Sequence, residues 1–249
     1  MQDQREKDAA CDIFYFCKKY FNSHKQLIGK IDLMAKGYAK IDLWSRTDKK
    51  IHHSNRIFKV ISFNSTSPDK KISGDFYSLE TNDWVNIIPI TREGKVILVS
   101  QYRHGLHTVS LEFPGGIVEK GQHLQTAKNE LMEETGYSSR NWTLLGKMAA
   151  NPAFLNNWNY SYVAENCEPT GVQNLDPNEQ IEIELFPLQQ IPQMIQSGKI
   201  YHSMMISIAG LFFMHPEFKD KYKLPSRNLQ QSVIEKFIHK FSGFGKNTK

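Results

Sequence analysis

Glu130, Glu133 and Glu134 stand at i, i+3 and i+4 in a stretch that reads as a helix, so their carboxylates share one helix face. Three like charges on one face repel, and a helix gains nothing from them unless a cation lies between. Hard divalent cations take oxygen ligands, and Mg²⁺ in particular uses few carboxylates together with substrate phosphates. A glycine turn, Gly115-Gly116, enters the same segment and brings backbone groups to it. Taken alone, the triplet also describes a plain acidic surface, and its surroundings must decide.

Those surroundings alternate strand and helix signals. Arg56 to Phe63 and Asp75 to Glu80 read as strands around a turn at 67–69, and Val85 to Ile90 and Val96 to Gln101 as a pair around 92–94. Leu111 to Pro114 is a short strand running into the two glycines. Thr126 to Thr135 reads as the helix that carries the glutamates, stopped by Gly136. Further strands are expected at 144–148, 160–164 and 181–186, and helices at 188–197 and 203–214. Residues 4–21 have the apolar spacing of an amphipathic helix, as does a last helix capped by Ser226. Residues 25–50 give no clear pattern. Strands dominating 56–186 between helices argue α+β or α/β.

The chain has 249 residues, 40% hydrophobic and 23% charged, the profile of a soluble globular protein. Its longest mostly apolar stretch, Met204 to Met214, falls short of the roughly 20 residues a bilayer span needs. No membrane partner is therefore expected, and the polar start MQDQREKD is not a secretion signal. Three cysteines without paired spacing fit a reducing cytoplasm. The net charge of +5 resides in residues 216–249, with eight basic against three acidic residues. No nucleic-acid-binding signature accompanies that tail, so it reads as a solvated helix face and nucleic acid is not expected as a partner.

The segment 115–137, GGIVEKGQHLQTAKNELMEETGY, resembles the box of the Nudix hydrolases, G-x5-E-x7-R-E-U-x-E-E-x-G-U, with U a bulky apolar residue. Glu130 to Tyr137 match its second half, and Gly115-Gly116, Glu119 and Gly121 its opening. The stretches 99–103, 111–116, 151–157, 178–183 and 198–202 are similar to the ADP-ribose pyrophosphatase branch, and the likeness covers about residues 56–213. Counted from Gly116, the box's first glutamate falls on Gln122 and its arginine on Asn129, with six residues between instead of seven. Both members of a charged pair are thus amides.

The resemblance implies an α+β fold, a sandwich with a mixed central sheet between helices. The chain then divides into a β region over 51–85, to which the resemblance gives the dimer contact, and a catalytic core over 86–215; the helical extension over 1–50 and the basic helical tail over 216–249 are read from their own patterns and lie outside the resemblance. The resemblance implies Mg²⁺, with Mn²⁺ as an alternative, held mainly by Glu130, Glu134 and the Gly115 carbonyl, with Glu133 close by as a further ligand and a catalytic residue. It implies a catalytic glutamate in the loop before strand 181–186, which is Glu179; Glu182 and Glu184 alternate along that strand as its solvent face. Arg103 would contact the diphosphate or sugar. For Glu112, a substrate-side role and a structural hydrogen bond both remain open. Trp84 is read as core, Asn151 and Asn157 as loop or pocket residues, and His202 as a helix start. The implied reaction is hydrolysis of a nucleoside diphosphate derivative, ADP-ribose to AMP and ribose 5-phosphate, by a homodimer. The alternatives are another nucleotide sugar or dinucleotide as substrate, or a non-catalytic nucleotide-binding regulator. Gln122 and Asn129 are expected to act as a coupled pair that braces the loop against the helix.

Overall fold

Two apolar clusters on opposite faces of one sheet organise the chain. The computed structural model describes residues 42–119 and 121–222; the helices expected at 4–21 and after Ser226 lie outside the described residues. In chain order the strands are β1 (Ser45–Arg46), β2 (Lys50–Ser54), β3 (Phe58–Thr66), β4 (Ser73–Thr81), β5 (Trp84–Thr91), β6 (Lys95–Arg103), β7 (Thr108–Glu112) and β8 (Gly115–Ile117). Helix α1 (His123–Thr135) follows, then β9 (Tyr137–Ser138), β10 (Asn141–Ala149), β11 (Trp158–Pro169) and β12 (Ile181–Pro187). After a 3-10 turn come α2 (Ile191–Gln196), α3 (Ser203–Met214) and α4 (Pro216–Lys221).

The described residues form two compact units. One holds the residues up to Lys49 together with Phe63–Phe76. In it β1 pairs antiparallel with the end of β3, Ser45 opposite Thr66, and Phe63 stacks on Phe76. The other holds Lys50–Ser62 and the residues from Tyr77 onward. In it β2 pairs antiparallel with the start of β3, and an eight-stranded sheet runs β10-β11-β5-β6-β12, with β7 on β6, β8 on β5 and β9 on β11. Only the β11–β5 pair of that sheet is parallel, so the sheet is mixed.

Alternation along β5 builds the sandwich. Val85 and Ile87 join the cluster that contains Ala127 and Leu131 of α1. Ile88 and Ile90 join the other, with Met194 of α2, Met205, Ile208 and Phe212 of α3 and Phe218 of α4. A period of two in the strand places these sets on opposite faces. The fold is therefore α+β with the sheet between helical layers. No helix among the described residues is long and apolar enough to cross a membrane.

The start of α1 and the presence of β2 differ from the sequence expectation. Helix α1 begins at His123, a turn before Thr126, because Gln122 takes the N-cap place and its carbonyl accepts from Thr126 N–H at 2.8 Å. Its end is as expected: Gly136 adopts φ 69°, the left-handed conformation that glycine supplies without penalty. Helix α3 ends at Met214, as expected, and Pro216 then opens the separate short helix α4 at its first turn, where its missing N–H costs nothing. Phe218 is fully buried there, so the packed part of the chain reaches beyond residue 215. Strand β2 begins where the patternless stretch 25–50 ends, and its residues are all exposed and so carry no apolar alternation.

Candidate active site

Helix α1 places Glu130 and Glu134 one turn apart, facing the Gly115-Gly116 turn. Gly115 N–H donates to Glu134 Oε2 at 2.9 Å. A Cβ at Gly116 would lie 2.0 Å from Glu130 Oε1, so the backbone at 116 lies directly against that carboxylate. A Cβ at Gly115 would lie 2.1 Å from the Val85 carbonyl oxygen, a backbone atom, so no other residue fits there. The doubled glycine thus lets the chain approach both carboxylates without a side chain between.

Burial dominates the electrostatics. It pushes the Glu134 carboxyl up to about 8, with the Glu130 and Glu179 charges adding and the Gly115 N–H and Arg103 opposing. It pushes Glu130 up to about 7, reinforced by the charges of Glu133, Glu179 and Asp176. Two half-neutralised carboxylates on adjacent turns are a site that gains from a cation, since a positive charge reverses the like-charge penalty. The donors are all oxygen, which suits Mg²⁺ or Mn²⁺ rather than softer ions. Among the described residues no three His, Cys, Asp or Glu side chains converge as a ready-made metal cluster. Glu133 is exposed and acts on Glu130 through its charge.

A groove of about 1040 Å³ opens beside these groups, lined by Arg56, the end of β6 from Gln101 to Arg103, His104 to Leu106, the loop Asp176–Gln180, and His202. Arg103 donates through Nε to Glu112 Oε1 at 2.8 Å and through Nη2 to Glu112 Oε2 at 2.6 Å. Glu112 is 0% exposed. Burial raises its carboxyl, but the hydrogen bonds and charge of Arg103 outweigh that and hold it below the usual carboxylate range. The fork orients the guanidinium with part of its surface still exposed. Of the two readings of Glu112, the geometry thus shows the hydrogen-bonding one.

Glu179 closes its own loop. Its carboxylate accepts from Asp176 N–H at 3.1 Å, and its N–H donates to the Asp176 carbonyl at 2.9 Å. Its charge acts on Glu130, Glu134 and Arg103. Glu182 is exposed on β12, but Glu184 accepts from Ser100 Oγ at 2.8 Å and is only half-exposed, so the strand's outer face is not purely solvent.

The amides at 122 and 129 do not meet. Asn129 Oδ1 accepts from Gln125 Nε2 at 2.8 Å along the same helix, and both Gln122 and Asn129 are exposed. They lie seven positions apart, about two helical turns, whereas i, i+4 neighbours such as 125 and 129 do touch. Asn151 caps the turn at 151–155, and Asn157 donates to the Asn82 carbonyl at 3.0 Å. Both are loop-building residues. His202, read from sequence as a mere helix start, lines the groove and lowers the Glu112 carboxyl through its charge. Only contact between the ends of β7 and α3 reveals that, and no local pattern signals it.

Comparison with known proteins matches the same region. The family model described as NUDIX domain covers residues 81–204. The chain is 34% identical over 139 residues, 55% of its length and 75% of the other's, to the methanol dehydrogenase activator of Bacillus methanolicus. It is 31% identical over 119 residues to the ADP-ribose pyrophosphatase of Bacillus subtilis (strain 168), 47% of this chain and 64% of that one. A crystal structure of an ADP compounds hydrolase superposes with a TM-score of 0.62 at 20% identity, covering 70% of this chain and 94% of that one. That likeness speaks to the fold.

Proposed function

Because the chain belongs to the Nudix hydrolase family, we propose that it is a metal-dependent pyrophosphohydrolase that splits a nucleoside diphosphate derivative, with ADP-ribose as the leading substrate, to AMP and ribose 5-phosphate. The observation that carries this reading is the pair of carboxylates, half-buried Glu130 and buried Glu134, laid against Gly115-Gly116 beside the Arg103 groove. Glu130, Glu134 and the Gly115 carbonyl would hold Mg²⁺ or Mn²⁺, with Glu133 beside them. When bound, that cation supplies Lewis acidity and charge neutralisation at the diphosphate.

The chain's own groups do the rest. Arg103 spends two of its five N–H donors on Glu112 and turns the remainder to the diphosphate or its sugar. Glu179 accepts the proton of the attacking water as its oxygen bonds to one phosphorus and the bridging P–O bond breaks. Positioning and electrostatics, rather than covalent chemistry, lower the barrier. The reading includes a reducing cytoplasmic setting and a homodimer. Ile51, Ile57 and Tyr77, each more than half exposed in the N-terminal strand region, supply apolar surface for the contact.

A second reading has a specific observation behind it. The relative matched over 75% of its length is named an activator of another enzyme, and this chain carries amides where the box has a charged pair. A regulator on the same fold would bind the nucleotide without turning it over. Purified protein with Mg²⁺ or Mn²⁺ and a panel of ADP-ribose, nucleotide sugars and dinucleotides distinguishes the two. Release of phosphatase-sensitive products from ADP-ribose supports the hydrolase. Binding without products across the panel supports the regulator.

A further inference from the structure

The face of the sheet away from α1 carries a polar strip where its neighbours are apolar. Asn86 of β5 and Asn159 and Ser161 of β11 are 5%, 0% and 0% exposed. Ser161 sits opposite Asn86 in the parallel ladder, and Asn159 lies two residues before it, so the three share one face with Ile88 and Val163. Asn86 Oδ1, both amide atoms of Asn159 and Ser161 Oγ have no hydrogen-bond partner among the described residues. Buried polarity of this kind opposes folding, and violations of packing rules concentrate where function needs them.

The strip ends at the glycine turn. Asn86 opposes Gly115 in the β5–β8 pair, and its Nδ2 lies 2.6 Å from where a Gly115 Cβ would be. Nδ2 donates to the Phe113 carbonyl at 3.4 Å, Ile87 N–H donates to the Pro114 carbonyl at 2.9 Å, and Gly115 N–H donates to Glu134. Three consecutive residues are thus each held by one bond. The amide of Asn86 covers the one that must present itself to the carboxylate.

We infer that Asn86 is a positioning residue: through its packing on Gly115, backed by Ser161 and Asn159, it sets the Gly115–Glu134 corner for the divalent cation. The inference rests on the metal-dependent reading above, and its experiment separates the two. Asn86→Leu replaces the amide with an apolar side chain of similar size, and Asn86→Ser serves if the first variant does not fold. Two quantities are compared with the parent in folded protein: Mn²⁺ affinity, and hydrogen exchange at the Gly115 amide. Groups that orient metal ligands typically contribute about 10–100-fold to metal affinity. The expected result is Mn²⁺ binding weakened by that factor, and Gly115 exchange at least tenfold faster, at an unchanged or higher urea midpoint. A merely structural role would move the midpoint and leave both other readouts alone. Mn²⁺ affinity and Gly115 exchange within twofold of the parent in a folded variant overturn the inference. A parent that binds no Mn²⁺ sinks the metal reading instead, and Gly115 exchange still judges the positioning.

Discussion

Replacing Glu134 with Gln should make the metal-free protein more stable and the enzyme inactive. The Glu134 carboxyl is pushed from 4.5 to about 8. In the unfolded chain it ionises at its ordinary value, so the folded state binds the extra proton between those two values. Stability is therefore fully present below pH 4.5 and falls as pH rises toward about 8, since the folded state holds more protons than the unfolded one. At about 1.4 kcal/mol per pH step, the loss reaches about 3 kcal/mol by neutrality. Glutamine escapes it but gives up the charge-assisted bond from Gly115 N–H, worth about 1–2 kcal/mol. The net gain for Glu134→Gln is then about 1–2 kcal/mol near pH 7, with a small loss near pH 5. Glu130, at about 7, leaves a slope in both proteins, so the difference between them is what counts. Urea unfolding in EDTA at the two pH values measures it. Adding Mg²⁺ or Mn²⁺ should then stabilise the parent far more than the variant. A parent whose stability is flat across that range, or a variant that turns over ADP-ribose at the parent's rate, would refute the reasoning.

Glu179→Gln should lower kcat by about 10²–10⁴-fold with little change in substrate affinity, while Glu182→Gln leaves steady-state kinetics near the parent's. The opposite pattern would move the general-base role to β12. Arg103→Ala strands the fully buried Glu112 charge and should destabilise by about 3–5 kcal/mol near neutral pH. The companion Arg103→Ala/Glu112→Leu should recover much of that in urea unfolding. In a stability cycle, Gln122→Glu and Asn129→Arg should combine additively within about 0.5 kcal/mol, because the two sites do not touch. Substituting Gln125 and Asn129 should instead show a coupling of about 0.2–0.5 kcal/mol.

The strands at 85–90, 96–101 and 181–186 were legible because burial writes itself into local composition: each is apolar on one face or both. The exposed β2 left no such trace, since a solvent-facing strand has no apolar alternation to read. Strand β8 was hidden for another reason. It consists of Gly115, Gly116 and Ile117, residues that suggest a turn, and it is a strand only because β5 offers it a ladder. Long-range pairing decided it, and single-sequence patterns carry no such information. The helix start shows the same limit at short range. A six-residue segment in place of seven suggests a delayed helix, yet the backbone absorbs the deletion by letting Gln122 cap it.

The site divides along the same line. The spacing of Glu130 and Glu134 on α1, and the doubled glycine before them, are local and could be read directly. What could not be read is why both glycines are needed. Gly115 must stay bare because the Val85 backbone and Asn86 of β5 fill the place of its side chain, and a side chain at 116 would displace the Glu130 carboxylate from its place. The resemblance accounts for one glycine as a metal-side carbonyl; the packing makes both into clearances, one toward the sheet and one toward the helix. The carboxylates are thus held in a slot whose width is set by two missing side chains. Any residue added at 116 would push on Glu130 from the front, and any added at 115 would push on β5 from behind. The chemistry was visible in the helix, while the tolerance that makes it usable belongs to a strand thirty residues away in sequence.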